Sequence, residues 1–309
     1  MRKLGYACIN LELSGKGVTT NRGMIKRTFD KVGAVGAGEL ALLNIKNIGE
    51  IIRWNSDSGI SLYRMSSSIF PWMSEYEISE LPQFRKIQIL LLGVGRIALE
   101  KKQRLTFHPG PFNVLVSPNE PVVKKTIKDL NQHAEIMDLM GLPQSTEYPI
   151  NIHLGGAYGD KESSMIRFCE NFKRLSESAK KRLIVENDDK ASMFSVKDLY
   201  EGVYSRIGIP ITFDYHHHRF CSGGLTEEEA LNLAASTWNE VRQLTHYSSS
   251  RKTMESPDQK AQAHADFLYE KIKTYGLSLD IEIEAKAKEQ ALLKYLIEED
   301  SLLENYIDF

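Results

Sequence analysis

Apolar runs in this chain end, one after another, on a histidine or a carboxylate. RLTFH closes at His108, YPINIH at His153, RLIVE at Glu186, IPITFD at Asp214, VRQLTH at His246 and LSLDIEIE at Glu284. Each run reads as a short buried strand, and each is followed by a loop and then by helical periodicity. Ligand-type side chains at the C-terminal ends of many successive strands are what a metal-dependent (β/α) barrel enzyme would carry.

Eight strands are expected, near residues 3–9, 60–66, 104–108, 149–153, 182–186, 210–214, 241–246 and 279–284. Helical patterns fall between them at 36–53, 83–99, 121–140, 163–180, 195–206, part of 226–243, 257–274 and 286–300. Strict alternation implies a parallel sheet, and eight repeats favour closure into a barrel over an open sheet. No G-x-G-x-x-G follows the first strand. The expected fold is therefore α/β, a (β/α)8 TIM barrel, with residues 1–309 as one domain. At 309 residues, 42% of them hydrophobic, the chain is long enough for such a core without a disulfide. Two long loops, 11–35 and 247–259, would lie on the C-terminal rim, where barrels place substrate contacts. The acidic end, EEDSLLENYIDF, is expected to form a terminal amphipathic helix on the outside.

Net charge narrows the partners. At -2 the chain as a whole has no attraction for nucleic acid or membrane, so any nucleic-acid partner must meet a local basic patch. Lys16, Arg22, Lys26, Arg27, Lys161, Arg219, Arg251 and Lys252 are available for one. The three cysteines are scattered and show no C-x-x-C spacing, which argues for a reducing compartment and against a disulfide framework or thiolate zinc site. The apolar stretch in MRKLGYACINLEL is short and reads as a first strand rather than a signal peptide. No apolar run approaches the ~20 residues that span a bilayer. An intracellular, cytoplasmic location (the nucleoid, in a prokaryote) and no membrane partner are expected.

Side chains at the ends of neighbouring barrel strands converge on one pocket. Glu186, Asp214 and Glu284 would repel one another there unless cations neutralise them. His108, His153 and His246 make metal a better answer than an arginine cluster, and nitrogen with oxygen donors suits zinc, manganese or iron. His133, inside the helical stretch NQHAEIM, is assigned no role. In FDYHHH two readings stay open. Simple alternation places Asp214 and His216 on one face, whereas a sharp turn after Asp214 would aim His217 inward.

The motifs GYACIN (5–10), YRMSSSIFP (63–71), HPG (108–110), NIHLGGAYGDK (151–161), IVENDD (184–189), FDYHHH (213–218), THYSSSR (245–251) and DIEIEAKAKE (280–289) occur in an order that resembles the UV damage endonuclease family over nearly the whole chain. That family is related to endonuclease IV. The resemblance implies a barrel with three divalent metals, usually manganese, with zinc, cobalt or magnesium as alternative ions. It implies a nick in the DNA backbone immediately 5′ to a UV photoproduct, with the damaged dinucleotide flipped out. The partner would be UV-damaged double-stranded DNA, and the enzyme would act as a monomer.

Carried over by motif, His108, His153 and Glu186 would hold one metal. Glu186 would bridge to a second, completed by Asp214, His246 and Glu284. His217 and His264 would hold the third. Catalysis would rest on Glu186, Asp214 and Glu284. Tyr6, Asn10, Pro111, Phe112 and Lys161 would contact the lesion or the DNA. Two departures stand out. Pro111 and Phe112 occupy positions where the family often has Gln-Tyr, and Leu244 replaces a lysine that many members carry near the metals. The alternatives are an apurinic-site endonuclease of the endonuclease IV type and a sugar isomerase on the same barrel.

Overall fold

In a computed structural model, which describes residues 3–302, the chain forms a closed barrel of eight parallel strands in sequence order. They are β1 (Leu4–Ala7), β2 (Leu62–Met65), β3 (Arg104–Phe107), β4 (Ile150–His153), β5 (Leu183–Glu186), β6 (Ile211–Asp214), β7 (Leu244–Tyr247) and β8 (Asp280–Ile283). β8 returns to pair with β1, with Leu4 opposite Ile281, and so no sheet edge is left open. Seven strands fall within the stretches expected from their apolar runs, and β7 extends one residue past the expected 241–246, to Tyr247.

Helices fill the connections: α1 (Leu11–Gly15), α2 (Lys26–Asp57), α3 (Phe84–Glu100), α4 (Glu120–Leu139), α5 (Lys161–Phe172), α6 (Glu177–Arg182), α7 (Val196–Leu199), α8 (Ser205–Ile207), α9 (Tyr215–His218), α10 (Glu227–Ala235), α11 (Arg251–Met254) and α12 (Lys288–Glu298). Several bounds differ from the sequence expectation. α2 starts ten residues earlier than the pattern at 36 and bends at Gly33, whose φ of 59° and ψ of -156° are non-helical. The stretch 163–180 divides into α5 and α6. A π turn at Tyr200–Tyr204 joins α7 to α8. The chain after α12 makes one 3-10 turn at Glu299–Ser301, and the rest of the expected terminal helix lies outside the described residues.

The expected helix at 257–274 does not form. The backbone groups of this stretch are taken by other parts of the fold. Ala265 N–H donates to the Ser249 carbonyl at 2.9 Å, Arg251 N–H to Ala263 at 2.8 Å, and Ile272 N–H to the Tyr295 hydroxyl at 3.2 Å. Tertiary hydrogen bonds thus override a helical pattern whose local preference is weak.

Alternation along the strands separates two cores. The larger lies between barrel and helices. Inside the barrel, Leu62, Ile184 and Leu244 meet Trp238 as an apolar floor. Arg104 lies over the Trp238 ring at 5.6 Å and pairs with Asp280 at 3.0 Å. Leu244 is thus a floor residue, one inward-facing position below His246.

Candidate metal centre

Two residues above that floor, the inward positions turn polar. β3 leads to His108, β4 ends at His153, β5 at Glu186 and β6 at Asp214; His246 lies on β7, and Glu284 follows β8. Glu186 is at the middle. Its Oε2 lies 3.0 Å from His108 Nε2, and its Oε1 lies 3.1 Å from His246 Nδ1, 3.4 Å from His217 Nδ1 and 3.9 Å from His153 Nε2. The Asn151 amide donates to Glu186 Oε2 and orients it. Glu284 approaches His246 Nδ1 at 3.5 Å and His264 Nδ1 at 3.8 Å.

The turn after β6 decides the FDYHHH question. Asp214 caps α9 by accepting the His217 amide at 2.7 Å, so the chain turns at once and sends His217 toward Glu186. His217 Nδ1 is 3.0 Å from the Asn187 carbonyl; as the donor there, it leaves Nε2 as the bare nitrogen. His216 turns away and packs edge-on against Phe220. Burial, with His264 and Arg219 nearby, pushes its imidazole down to about 3, so it stays neutral.

Electrostatics at the centre follow from four carboxylates in one interior. Burial alone would raise Glu186, but His246 and His153 beside it hold its carboxyl well below the usual range. Asp214 moves the other way: burial raises it, and Glu186 and Glu284 add to the rise against the pull of His217. His153 is pushed down by burial yet held up to about 9 by Glu186 and Asp188. His246, with Glu186 and Glu282 on either side, ends well above its ordinary value despite burial.

The donor set fits a bound cation. Three groups of ligand atoms lie within 4.8 Å of one another: His108, Glu186 and His246; His153, Glu186 and His217; and Asp214, His246 and Glu284. Asp214 Oδ2, His153 Nδ1, His264 Nδ1 and both His246 nitrogens are buried without a hydrogen-bond partner. Buried polar atoms in that state are uncommon unless something else binds them. His108 approaches Oε2 of Glu186 and His153 approaches Oε1, with the two imidazole rings 5.5 Å apart, and His217 stands beside His153. His264 belongs to none of the three groups.

Two contributors were missed from the sequence. Arg64, on β2, sends Nη1 to Glu284 at 2.5 Å and lies 3.5 Å from Glu282. Burial would lower its pKa, but the two glutamates keep it charged. Glu282, fully buried, sits on β8 two residues before Glu284. The period-2 acid series in DIEIE carried the signal for Glu282.

The DNA-contact candidates divide. Pro111 and Phe112 are exposed on the loop after β3, where Phe112 is 89% accessible. Together with His108, Ser66 and Val114 they line a cavity of about 770 Å³. Lys161 begins α5 and pairs with Asp198 at 3.0 Å. Tyr6 and Asn10 require correction. Tyr6 pairs in register with Tyr63, on the helix-facing side of the barrel, and its hydroxyl donates to Asn55 of α2 at 2.7 Å. Asn10 caps α1 and donates to the Tyr6 hydroxyl at 2.9 Å. Both are buried, so neither meets a duplex in this conformation; the alternation of β1 directs residue 6 away from the mouth.

A family model described as UV-endonuclease UvdE matches residues 2–306. A UV-damage endonuclease from Schizosaccharomyces pombe is 34% identical over 304 residues, which cover 94% of this chain and 50% of that protein. The chain thus spans half the length of that curated relative. The crystal structure of SacUVDE superposes with a TM-score of 0.83 at 30% identity, covering 98% of this chain and all of that one. D-psicose 3-epimerase from Clostridium cellulolyticum H10 shares the fold alone, with a TM-score of 0.55 at 12% identity over 83% of this chain and 94% of that one.

Proposed function

The chain belongs to the UV-endonuclease UvdE family, and on that premise we propose that it is a metal-dependent endonuclease that nicks UV-damaged double-stranded DNA immediately 5′ to the photoproduct. The observation that carries this reading is the convergence of four histidines on the single buried carboxylate of Glu186 at the barrel mouth. His108, His153, His217, His246, His264, Glu186, Asp214 and Glu284 would together hold up to three divalent ions, with manganese as the expected metal. When bound, such ions would bring the pKa of a water toward neutrality and offset charge on the phosphate and the leaving 3′-oxygen.

The protein's own groups do the rest. Glu186, common to two of the three ligand groups and oriented by Asn151, would fix the spacing of the centre. Asp214 and Glu284 supply further anionic donors. A paired, stacked dinucleotide cannot bring its phosphate to a recessed centre, so the damaged pair must leave the stack; a lesion that already weakens stacking lowers that cost. Phe112 would enter the gap, a role supported by its exposed ring beside the cavity that His108 also lines. Such an enzyme would work inside the cell as a monomer. Among the described residues no helix is long and apolar enough to cross a membrane.

The test is incubation with manganese and an irradiated duplex, beside an abasic duplex and a ketohexose. A nick 5′ to the photoproduct that chelator abolishes is expected. Cutting of the abasic duplex alone would assign the chain to apurinic-site repair, and conversion of the sugar without any nick would overturn the nuclease reading.

A further inference from the structure

We propose that Glu282 is a positioning residue of the metal centre that acts through His246 and selects its ligating tautomer. The inference rests on the reading that the cluster binds divalent metal. Glu282 is not a member of any ligand group, because it meets the opposite edge of the imidazole. Its Oε2 lies 3.1 Å from His246 Nε2, whereas Nδ1 of the same ring faces Glu186 at 3.1 Å and Glu284 at 3.5 Å. Both Oε2 and Nε2 are buried and have no other hydrogen-bond partner within the fold, so the 3.1 Å approach between them is the one contact available to complete.

An ionised carboxylate only accepts hydrogen bonds, so the ring nitrogen beside it carries the proton. A neutral imidazole has one proton to place. With it on Nε2, the bare lone pair is on Nδ1, the nitrogen that points into the cluster. The other tautomer would aim an N–H at the incoming cation. A carboxylate behind a ligating histidine also raises its basicity.

The surroundings keep Glu282 charged and still. Its other oxygen accepts the Thr106 hydroxyl of β3, and Arg64 provides the countercharge at 3.5 Å. Arg64 also holds Glu284, so one guanidinium ties the positioning carboxylate to a candidate ligand. Leu244, in the floor below, offers no polar atom to this ring, which leaves the task to β8.

The experiment is titration with manganese alone by calorimetry and with cobalt by visible absorption, on the parent, Glu282→Gln and Thr106→Val. Glutamine keeps the volume but can offer an N–H to Nε2, which removes the tautomer preference. Manganese affinity should fall about 10- to 100-fold in Glu282→Gln, the range for loss of such a partner. The cobalt bands should shift, since the ligand field of His246 changes; a carboxylate that only packs would leave them alone. Thr106→Val should move both readouts less, in the same direction. Parent-like affinity and spectrum in Glu282→Gln would overturn the proposal. Should that variant fail to fold, parent-like behaviour of Thr106→Val overturns it. A parent that binds neither metal would instead overturn the metal reading of the cluster.

Discussion

Arg104 and His246 both lie buried inside the barrel, and their surroundings differ in one respect. Arg104, near the floor, donates to the carbonyls of Glu147 and Arg242 at 2.9 Å and of Thr146 at 3.0 Å, and to Asp280 at 3.0 Å. His246, on β7 and one inward position above the floor, has carboxylates on both sides and no completed hydrogen bond. The same strands and the same alternation build both layers. A buried charge whose partners are all present is part of the scaffold, whereas a buried layer with open valences is held ready for something to bind.

That contrast breaks most directly at Glu186. Glu186→Gln keeps the volume and removes the anion common to two of the ligand groups. Nicking of irradiated duplex with manganese should disappear while the far-ultraviolet circular dichroism stays that of the parent. Parent-like turnover would remove Glu186 from the centre. The opposite signature is expected below. Arg104→Met should cost about 3 kcal/mol in urea unfolding, the low end for breaking a buried pair, because Asp280 keeps Arg242 at 3.1 Å. Manganese affinity of the folded fraction should not change; a loss there would mean the two layers are coupled.

Acidity separates the layers next. His153 is raised from 6.5 to about 9 in the folded protein by Glu186 and Asp188 against its burial, and His246 is raised well above its ordinary value by Glu186 and Glu282. A raised pKa stabilises the folded state fully below pH 6.5 and loses that contribution as the pH climbs through about 9. The metal-free protein should therefore lose thermal stability across this window. Manganese should bind more tightly over the same range, since ligand nitrogens must shed protons. Melting scans with chelator and with manganese, from pH 6.5 to 9, should diverge as the pH rises. Parallel curves would mean that these histidines do not titrate against metal.

The rim stands outside both layers and should show the smallest effect. Phe112 is 89% exposed and adds little to the fold. Phe112→Ala should leave the melting temperature unchanged and weaken binding to irradiated duplex by about 1–3 kcal/mol, the worth of one base–aromatic stack. An equal loss on a duplex already opened at an abasic site would make Phe112 a general contact rather than a wedge.

Much of the scaffold was legible because strands have a period of two and barrel strands run from apolar to polar. RLIVE and IPITFD mark the positions of β5 and β6, and Glu186 and Asp214 at their ends lie in the interior. The helix expected at 257–274 was not legible, because its amides are satisfied by Ser249, Tyr295 and other distant groups. Tyr6 was misplaced for a related reason: the motif around it says nothing about which face of β1 it takes, and the register with Tyr63 sends it under α2. Arg64 carries no signal of its own in YRMSSSIFP, because its partners Glu282 and Glu284 come beside it only when β8 closes on β1 and β2.

By itself the sequence determined where strands begin, which of them end in ligand-type side chains, and that no disulfide or long apolar span is involved. Those are local properties, set by residue spacing along one chain. Only the tertiary structure decided that His217 rather than His216 faces Glu186, that His108 and His153 approach different oxygens of its carboxylate, and that Arg64 and Glu282 lie among the carboxylates. Such distances depend on the turn after each strand and on the stagger between strands as the barrel closes, and a shift of one residue exchanges the inward and outward faces.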